Sequence, residues 1–439
     1  MNSVPTLQAL ANQWAEQQTQ AAQPVLAEAQ LKARAQLRAM HFPDRKTEDW
    51  KYTSLHSLVN PELWQKGSAS NFVRPSEAIN SDATLTLRFI NGTLENRPDS
   101  SAAIELYAFD ELSDEQLQRY LPLAQLNSQW QQHPFAQLCE AALVEQSWLL
   151  VVKAKQRLEK PIVVEQWNSA GSHSFTATQR LLVVVEANAE ASLVQITDST
   201  ENAPNALLNS LVQIELQDNA KLNHIQLQLA DENCSQVQCT NTQLKRDSRY
   251  QHYLISLGTA LIRNDLHVQF TGPGAEATLN GAFLSKHQQH VDNHLNLEHI
   301  SGRCQSSTNY KGLVTDSGKA VFNGRIHIHP DAQKTDAQLN NKNLLLSDSA
   351  EINTKPELEI YADDVKCAHG ASIGKLNENA LFYFESRGID KATAEAMLSF
   401  GFVNEIVEML PEESLIAPLT KRLARYFRDV KQLGDLWQV

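Results

Sequence analysis

A chain of 439 residues, 42% of them hydrophobic, has ample material for a sizeable core, spread over two or three domains or wound into one repetitive body. Its 38 Lys and Arg against 51 Asp and Glu give a net charge of −13 with no long basic run, which argues against nucleic acid or anionic membrane as a partner. The opening MNSVPTLQALANQW lacks a basic stretch followed by an apolar one, and nowhere do about 18 apolar residues follow one another, so a cytoplasmic protein is expected.

Near the N-terminus, Leu7, Leu10, Ala11 and Trp14 recur at helical spacing. A second such pattern follows Pro24 through Leu26, Ala29, Ala33, Leu37 and Met40, until His41-Phe42-Pro43 stops it. The segment RKTEDWKYTSLHSL, Arg45 to Leu58, reads as a surface turn anchored by Trp50 and Tyr52. Thr84 to Ile90 alternates as a strand does and ends at Asn91-Gly92, a hairpin pair. Asp110 to Val144 returns to helical character, broken at Pro122 and Pro134. Residues 1–146 are therefore expected to form a small, mainly helical domain.

From Trp148 the period changes. SWLLVVKA, PIVVEQW, RLLVVVEA, SLVQIT, LVQIEL and LNHIQLQLA are short aliphatic and β-branched runs between small or polar turns. A tetrad of Ala, any residue, an apolar residue and Asn or Val begins at Ala191, Ala220, Ala277, Ala320 and Ala350. These positions are separated by near multiples of a unit of about 14 or 15 residues, one strand plus one turn, too short for a propeller blade or a helical repeat. The spacing predicts a mainly β fold, a β-solenoid over residues 147–376 with helical stretches on both sides. Asn223, Asn280, Asn323 and Asn353 are expected to stack as amide ladders at its corners.

Residues 377–439 return to helical periodicity. Asp390 is a candidate N-cap, and Ala394, Leu398, Phe402 and Met409 line one side of a first helix up to Pro411. A second carries Ile416, Leu419, Leu423, Phe427 and Val430 opposite Lys421, Arg422, Arg425, Arg428 and Lys431. The two helices are suited either to capping the solenoid or to offering an apolar stripe to a partner.

Phosphate-loop, dinucleotide-turn, nucleophile-elbow and HExxH motifs are all missing, so no catalysis is expected and ATP should be neither bound nor hydrolysed. Five Cys, at 139, 234, 239, 304 and 367, are too few and too odd in number for a disulfide framework. Cys234 and Cys239 lack the third Cys of a ferredoxin spacing and read as ordinary strand thiols. His287, His290, His294 and His299 form the densest His cluster, with Asp292 sharing strand parity with His290 and His294. Outward polar strand residues are the default reading there, and metal binding the alternative. Cys367 and His369, two residues apart at the end of an apolar run, would stand side by side on a strand as half of a soft-metal site. Zinc or iron-sulfur chemistry needs about four ligands, so the rest would have to come from elsewhere. A competing reading, a carbohydrate-active β-helix enzyme using Asp363 and Asp364, suffers because adjacent strand carboxylates point to opposite faces.

The tract KTDAQLNNKNLLLSDSAEINTKPELEIYADDVKCAHGASIGKL, followed by LFYFESRGI, resembles the shared core of the SufB/SufD family of iron-sulfur cluster assembly scaffolds, and RKTEDWKYTSL resembles its SufD branch. The resemblance implies a right-handed parallel β-helix between helical domains. It also implies a complex with a SufB-like paralogous scaffold and a SufC-like ABC ATPase docked on the C-terminal helices, and it is compatible with a homodimer of the isolated chain. In that family a transient iron-sulfur cluster is thought to form between the two scaffolds, SufB giving a Cys and SufD a His. The matching position in D-D-V-K-C-x-H-G is His369, with Cys367 beside it as a second candidate ligand. Asn341 falls opposite the essential Cys of SufB, so this chain is expected to lack the sulfur-accepting thiol.

Overall fold

Between Ser147 and Gly374 sixteen strands alternate between two parallel sheets, two strands to a coil. Leu261 pairs with His290 and His290 with Lys319, so each of these coils is 29 residues long, twice the repeat read in the sequence. Sheet A ends in the strand Lys366–Gly374 and sheet B in Glu351–Ile360. The computed structural model describes residues 5–68, 72–79, 82–143 and 146–427; Val144, Arg428, Val430 and Lys431, named above, lie outside them.

Alternate residues of every strand point inward. Val291, Leu295 and Leu297 stack beside Ala320, Phe322 and Ile326, and all are buried in one continuous lumen. One corner of successive coils turns through a residue in the left-handed region, followed by a small residue buried in the lumen. The column runs Asn188 (φ 61°) then Ala189, Asn219 (58°) then Ala220, Asp247 (55°) then Ser248, Gly274 (73°) then Ala275, and Arg303 (62°) then Cys304. Gly, Asn and Asp take that backbone most cheaply, and the small successor leaves room for the chain to turn. Cys304 is thus a corner residue.

The expected Asn ladder does not form. Asn223 lies opposite Ser192 and Gln251, Asn280 opposite Tyr253 and Asn309, Asn323 opposite His294 and Lys355, and Asn353 opposite Val321. The tetrads are out of phase, because Ala191 pairs with Leu222 and not with Ala220. Amides stack elsewhere: Asn219 donates to Asn188 at a corner (2.9 Å), and Asn264 donates to Asn293 in the lumen (2.9 Å).

The N-terminal end of the solenoid is closed by strands that precede it in sequence. Leu85–Ile90 runs parallel to Ile162–Asn168 and folds back through Asn91 and Gly92, both at positive φ, into the short strand Thr93–Asn96. Ile104–Ala108 pairs antiparallel with Ser147–Val152. Helices α1 (Leu7–Glu16), α2 (Pro24–Ala39) and α4 (Pro134–Ala141) share a core with Leu207, Leu211, Val237, Cys239 and Leu261 on the outer face of sheet B, while α3 (Asp114–Ala124) packs on Leu149, Val151, Leu182 and Val184.

At the other end come α5 (Glu378–Glu385), α6 (Lys391–Val407) and α7 (Glu413–Tyr426). Asp390 caps α6, its carboxylate accepting from the Thr393 amide. The apolar faces of α6 and α7 neither cap the solenoid nor remain free. Phe400, Val403, Ile406, Val407, Leu415, Leu419 and Leu423 are buried in one cluster with Val194, Ile196, Ile225, Leu227 and Ile255 on the outer face of sheet A. Met409, expected on the α6 stripe, is exposed instead.

Candidate functional site

The strand Lys366–Gly374 is the last of sheet A, and its register fixes where the Cys and His stand. Cys367 lies opposite Ala337 and His369 opposite Leu339, two fully buried residues that point into the lumen. Cys367 and His369 therefore have lumen parity, as does Val365 before them. In a middle coil both would be core residues. Among the described residues no coil follows, so Cys367 is half-buried against the core and His369 is exposed. Burial, with Asp336 adding to it, pushes the Cys367 thiol above its ordinary range, so it is a neutral thiol near pH 7 and a poor ligand until an approaching cation or base draws off its proton.

Asn341, two residues along from Leu339, is buried in the coil beneath. Its amide exchanges hydrogen bonds with Asn343 (3.2 and 2.5 Å), donates to the Tyr310 carbonyl (3.3 Å) and accepts from Thr354 Oγ1 (2.9 Å). That network fills the lumen further along the strand, below Ala371 and Ile373. Around the open end, Ile360, Tyr361 and Ile373 are exposed, as are Phe382 and Tyr383 on α5. The outer backbone edges of Glu351–Ile360 and Lys366–Gly374 have no strand beside them among the described residues. Asp363 and Asp364 lie in the turn between these two strands, both exposed, and Asp364 is paired with Lys334. A carboxylate held by a lysine is poorly suited to glycoside acid/base work.

The His cluster divides. His287 sits at a corner with φ 53°, and His299 points into the lumen, stacked on Phe270 with centroids 4.0 Å apart. His290 and His294 face outward with Asp292 between them, but Asp292 serves an ionic centre that sequence reasoning missed. Arg263, fully buried, makes two bonds to Asp265 (2.7 and 2.8 Å) and one to Asp292 (2.5 Å), donates to the Asp49 carbonyl (2.8 Å) and lies 4.2 Å from the Trp50 ring centroid. Thr53 Oγ1 donates to Asp292 (2.5 Å). Burial alone would raise both carboxyls; the Arg263 guanidinium, helped by His133 at Asp265 and His294 at Asp292, holds them well below the ordinary range. The RKTEDW segment is thus a clasp onto sheet B. Trp50 anchors it, whereas Tyr52 is exposed. Outward parity at Arg263 and Asp265, with Asp292 one coil later, was the available signal.

Cys234 and Cys239, five residues apart on one strand, face opposite sides, and burial pushes both thiols up. Among the described residues all five cysteines are free, and no helix is long and apolar enough to cross a membrane.

Residues 167–402 match the family model for the SufBD core domain of SUF-system FeS cluster assembly. The iron-sulfur cluster assembly protein SufD of Escherichia coli K12 is 32% identical over 393 residues, 89% of this chain and 90% of that protein. A SufBD family protein of Synechocystis is 30% identical over 400 residues, 86% of each chain. The chloroplastic protein ABCI7 of Arabidopsis thaliana is 34% identical over 237 residues, 54% of this chain and 50% of its own.

Proposed function

The chain belongs to the SufBD family of iron-sulfur cluster assembly proteins, and from that premise we propose that it is a cytoplasmic, non-enzymatic SufD-type scaffold, which holds a nascent cluster jointly with a SufB-like paralogue. The cluster is cargo. The observation that carries the proposal is the Cys367 and His369 pair, both of lumen parity, with His369 exposed and Cys367 only half-buried because no further coil covers them among the described residues. A second scaffold seated on that end would close the lumen and bring the remaining ligands. His369 offers an accessible imidazole, which binds iron when neutral and is steadied by whatever its second nitrogen meets. Cys367, half-buried and protonated, is secondary. Asn341, where SufB has its essential Cys, leaves sulfur acceptance to the partner.

Three regions share this work: 1–146 clasps and closes one end, 147–376 forms the scaffold, and 377–439 receives a SufC-like ATPase. The apolar faces of α6 and α7 are spent on sheet A, so docking falls to surfaces such as exposed Phe382 and Tyr383 of α5.

The test is His369→Ala in an intact three-subunit complex, with iron and sulfide counted after anaerobic reconstitution. Cluster content is expected to fall with the complex still assembled, and to fall less in Cys367→Ala, because the partner's thiolates still hold the cluster. Wild-type cluster content in His369→Ala refutes the assignment, and loss of the complex itself would make His369 structural.

A further inference from the structure

A second set of donors lies on the outer face of sheet B, away from Cys367 and His369. Three neighbouring strands set Gln269 opposite Glu298 and Glu298 opposite His327. His327 and His329 lie two residues apart and their rings stack, centroids 4.4 Å apart and planes 13° off parallel. His329 Nε2 is 2.9 Å from Glu298 Oε1, while His267 Nε2 (3.1 Å) and Gln269 Nε2 (2.8 Å) both reach Oε2. One nitrogen of His327, one of His329 and one oxygen of Glu298 all lie within 4.8 Å of one another. Ligands at about 2.0 to 2.2 Å from one tetrahedral ion stand about 3.3 to 3.6 Å apart, so side-chain adjustments of up to about 1.5 Å would close the set.

A carboxylate that only needed a partner would be satisfied by buried His267 and half-buried Gln269. His327 and His329, both partly open to solvent, are surplus to that need. The charge nearby is also accounted for. Arg325 Nη2 is 3.4 Å from His327 Nδ1, a long contact, and the guanidinium is neutralised by two bonds to Glu359 (2.9 and 2.6 Å).

We propose that Glu298, His327 and His329 form a binding site for a divalent first-row transition metal, with His267 and Gln269 holding the carboxylate in place. Two imidazoles and one carboxylate suit iron(II), cobalt(II) or zinc and discriminate against magnesium and calcium, which take oxygen cages. The ion takes the place of the hydrogen bond between His329 Nε2 and Glu298 Oε1. Three protein donors leave positions open to water or to a ligand of the ion. The site stands whether or not the chain assembles clusters, since it uses neither Cys367 nor His369.

The test is anaerobic titration of the purified full-length chain with cobalt(II), reading visible d–d absorption and bound metal by equilibrium dialysis. Wild type and His369→Ala are expected to bind one equivalent at this site, displaced by zinc and untouched by excess magnesium. That equivalent should weaken at least tenfold in Glu298→Gln and vanish in the double variant His327→Ala/His329→Ala, with circular dichroism reporting the fold. Glu298→Gln keeps the size of the residue and one of its two acceptor oxygens, so it decides the matter if the double variant fails to fold. An unchanged spectrum and affinity in Glu298→Gln, or an equivalent lost only in His369→Ala, overturns the site.

Discussion

Arg263 shows how much of this fold depends on one buried cation. It is flanked by two carboxylates that it helps to hold charged against their burial, and it is covered by Trp50 from a segment more than two hundred positions earlier in the chain. Arg263→Met would strip Asp265 and Asp292 of their cation, leaving His133, His294 and Thr53 as their partners, and it is expected to cost about 3 to 5 kcal/mol in urea denaturation. The lumen histidines act through pH. Burial pushes His252 and His299 down to about 3 and His224 well below its ordinary value, so all three are neutral in the folded chain. From about pH 6.5 down to about 3 the unfolded chain takes up protons that the folded one refuses. Stability is therefore full above that window and falls as pH drops through it, by about 1.4 kcal/mol per pH unit for each such group. Urea midpoints at pH 7 and pH 5 should differ less in His252→Gln than in wild type; an equal difference would mean that His252 is protonated in the fold. Cys367 and His369 were legible because two-residue spacing is a local signal. The Arg263 centre was not, because its members meet only once coils and clasp are in place.

Among the elements, the strands were legible from short apolar runs, and the hairpin from Asn91-Gly92. The face that α7 buries was legible too, since Leu419 and Leu423 of the expected stripe are buried with Ile416 and Phe427 packed beside them; the face that α6 buries was legible only in part. Helical periodicity marked a stripe in which Ala394 is buried and Phe402 packs at the edge of the sheet A cluster, but Phe400, Val403, Ile406 and Val407 fill that cluster and Met409 is exposed, because apolar residues are spread around this helix and packing chose among them. This bears on how ATPase docking is tested. Deleting residues beyond Leu376 strips the cover from Val194, Ile196, Ile225, Leu227 and Ile255, and it is expected to give aggregation or a lowered thermal midpoint before any partner is added. Substitution at exposed positions separates the two effects. Phe382→Asp with Tyr383→Asp should keep the wild-type midpoint and lose co-purification with the ATPase. Retained co-purification would move the docking surface elsewhere on the C-terminal region.

For the whole molecule, the solenoid and its span were readable because its repeat is local and each unit obeys the same rule; that the strands Leu85–Ile90 and Ile104–Ala108 extend its sheets at the N-terminal end was not, since they lie outside the repeat. The corner column illustrates the limit. The sequence drew attention to Ala tetrads, yet the conserved geometry is a left-handed residue followed by a small one, filled variously by Asn, Asp, Gly or Arg and then Ala, Ser or Cys. The exposed edge and apolar rim at the C-terminal end make a specific expectation for solution behaviour. The isolated chain should self-associate there, and Ile360→Lys with Ile373→Lys should shift it to monomer in analytical ultracentrifugation while leaving circular dichroism unchanged. Sedimentation unaltered by both charges would place any self-contact elsewhere.

The two ends of the solenoid differ in kind. At the N-terminal end sheet A finishes in the four-residue strand Thr93–Asn96, which carries Glu95 and runs into Arg97-Pro98, and sheet B finishes in the five-residue antiparallel strand Ile104–Ala108. A short, charged, reversed edge offers a newcomer little to extend. In the language of polymer growth, the molecule is monofunctional: one reactive terminus and one dead terminus. Two such units that meet through their live ends consume both and present only dead ones, so the reaction stops at a pair. A stack of parallel strands, the geometry from which fibrils are made, is thereby limited to a finite product by a hairpin placed at one end.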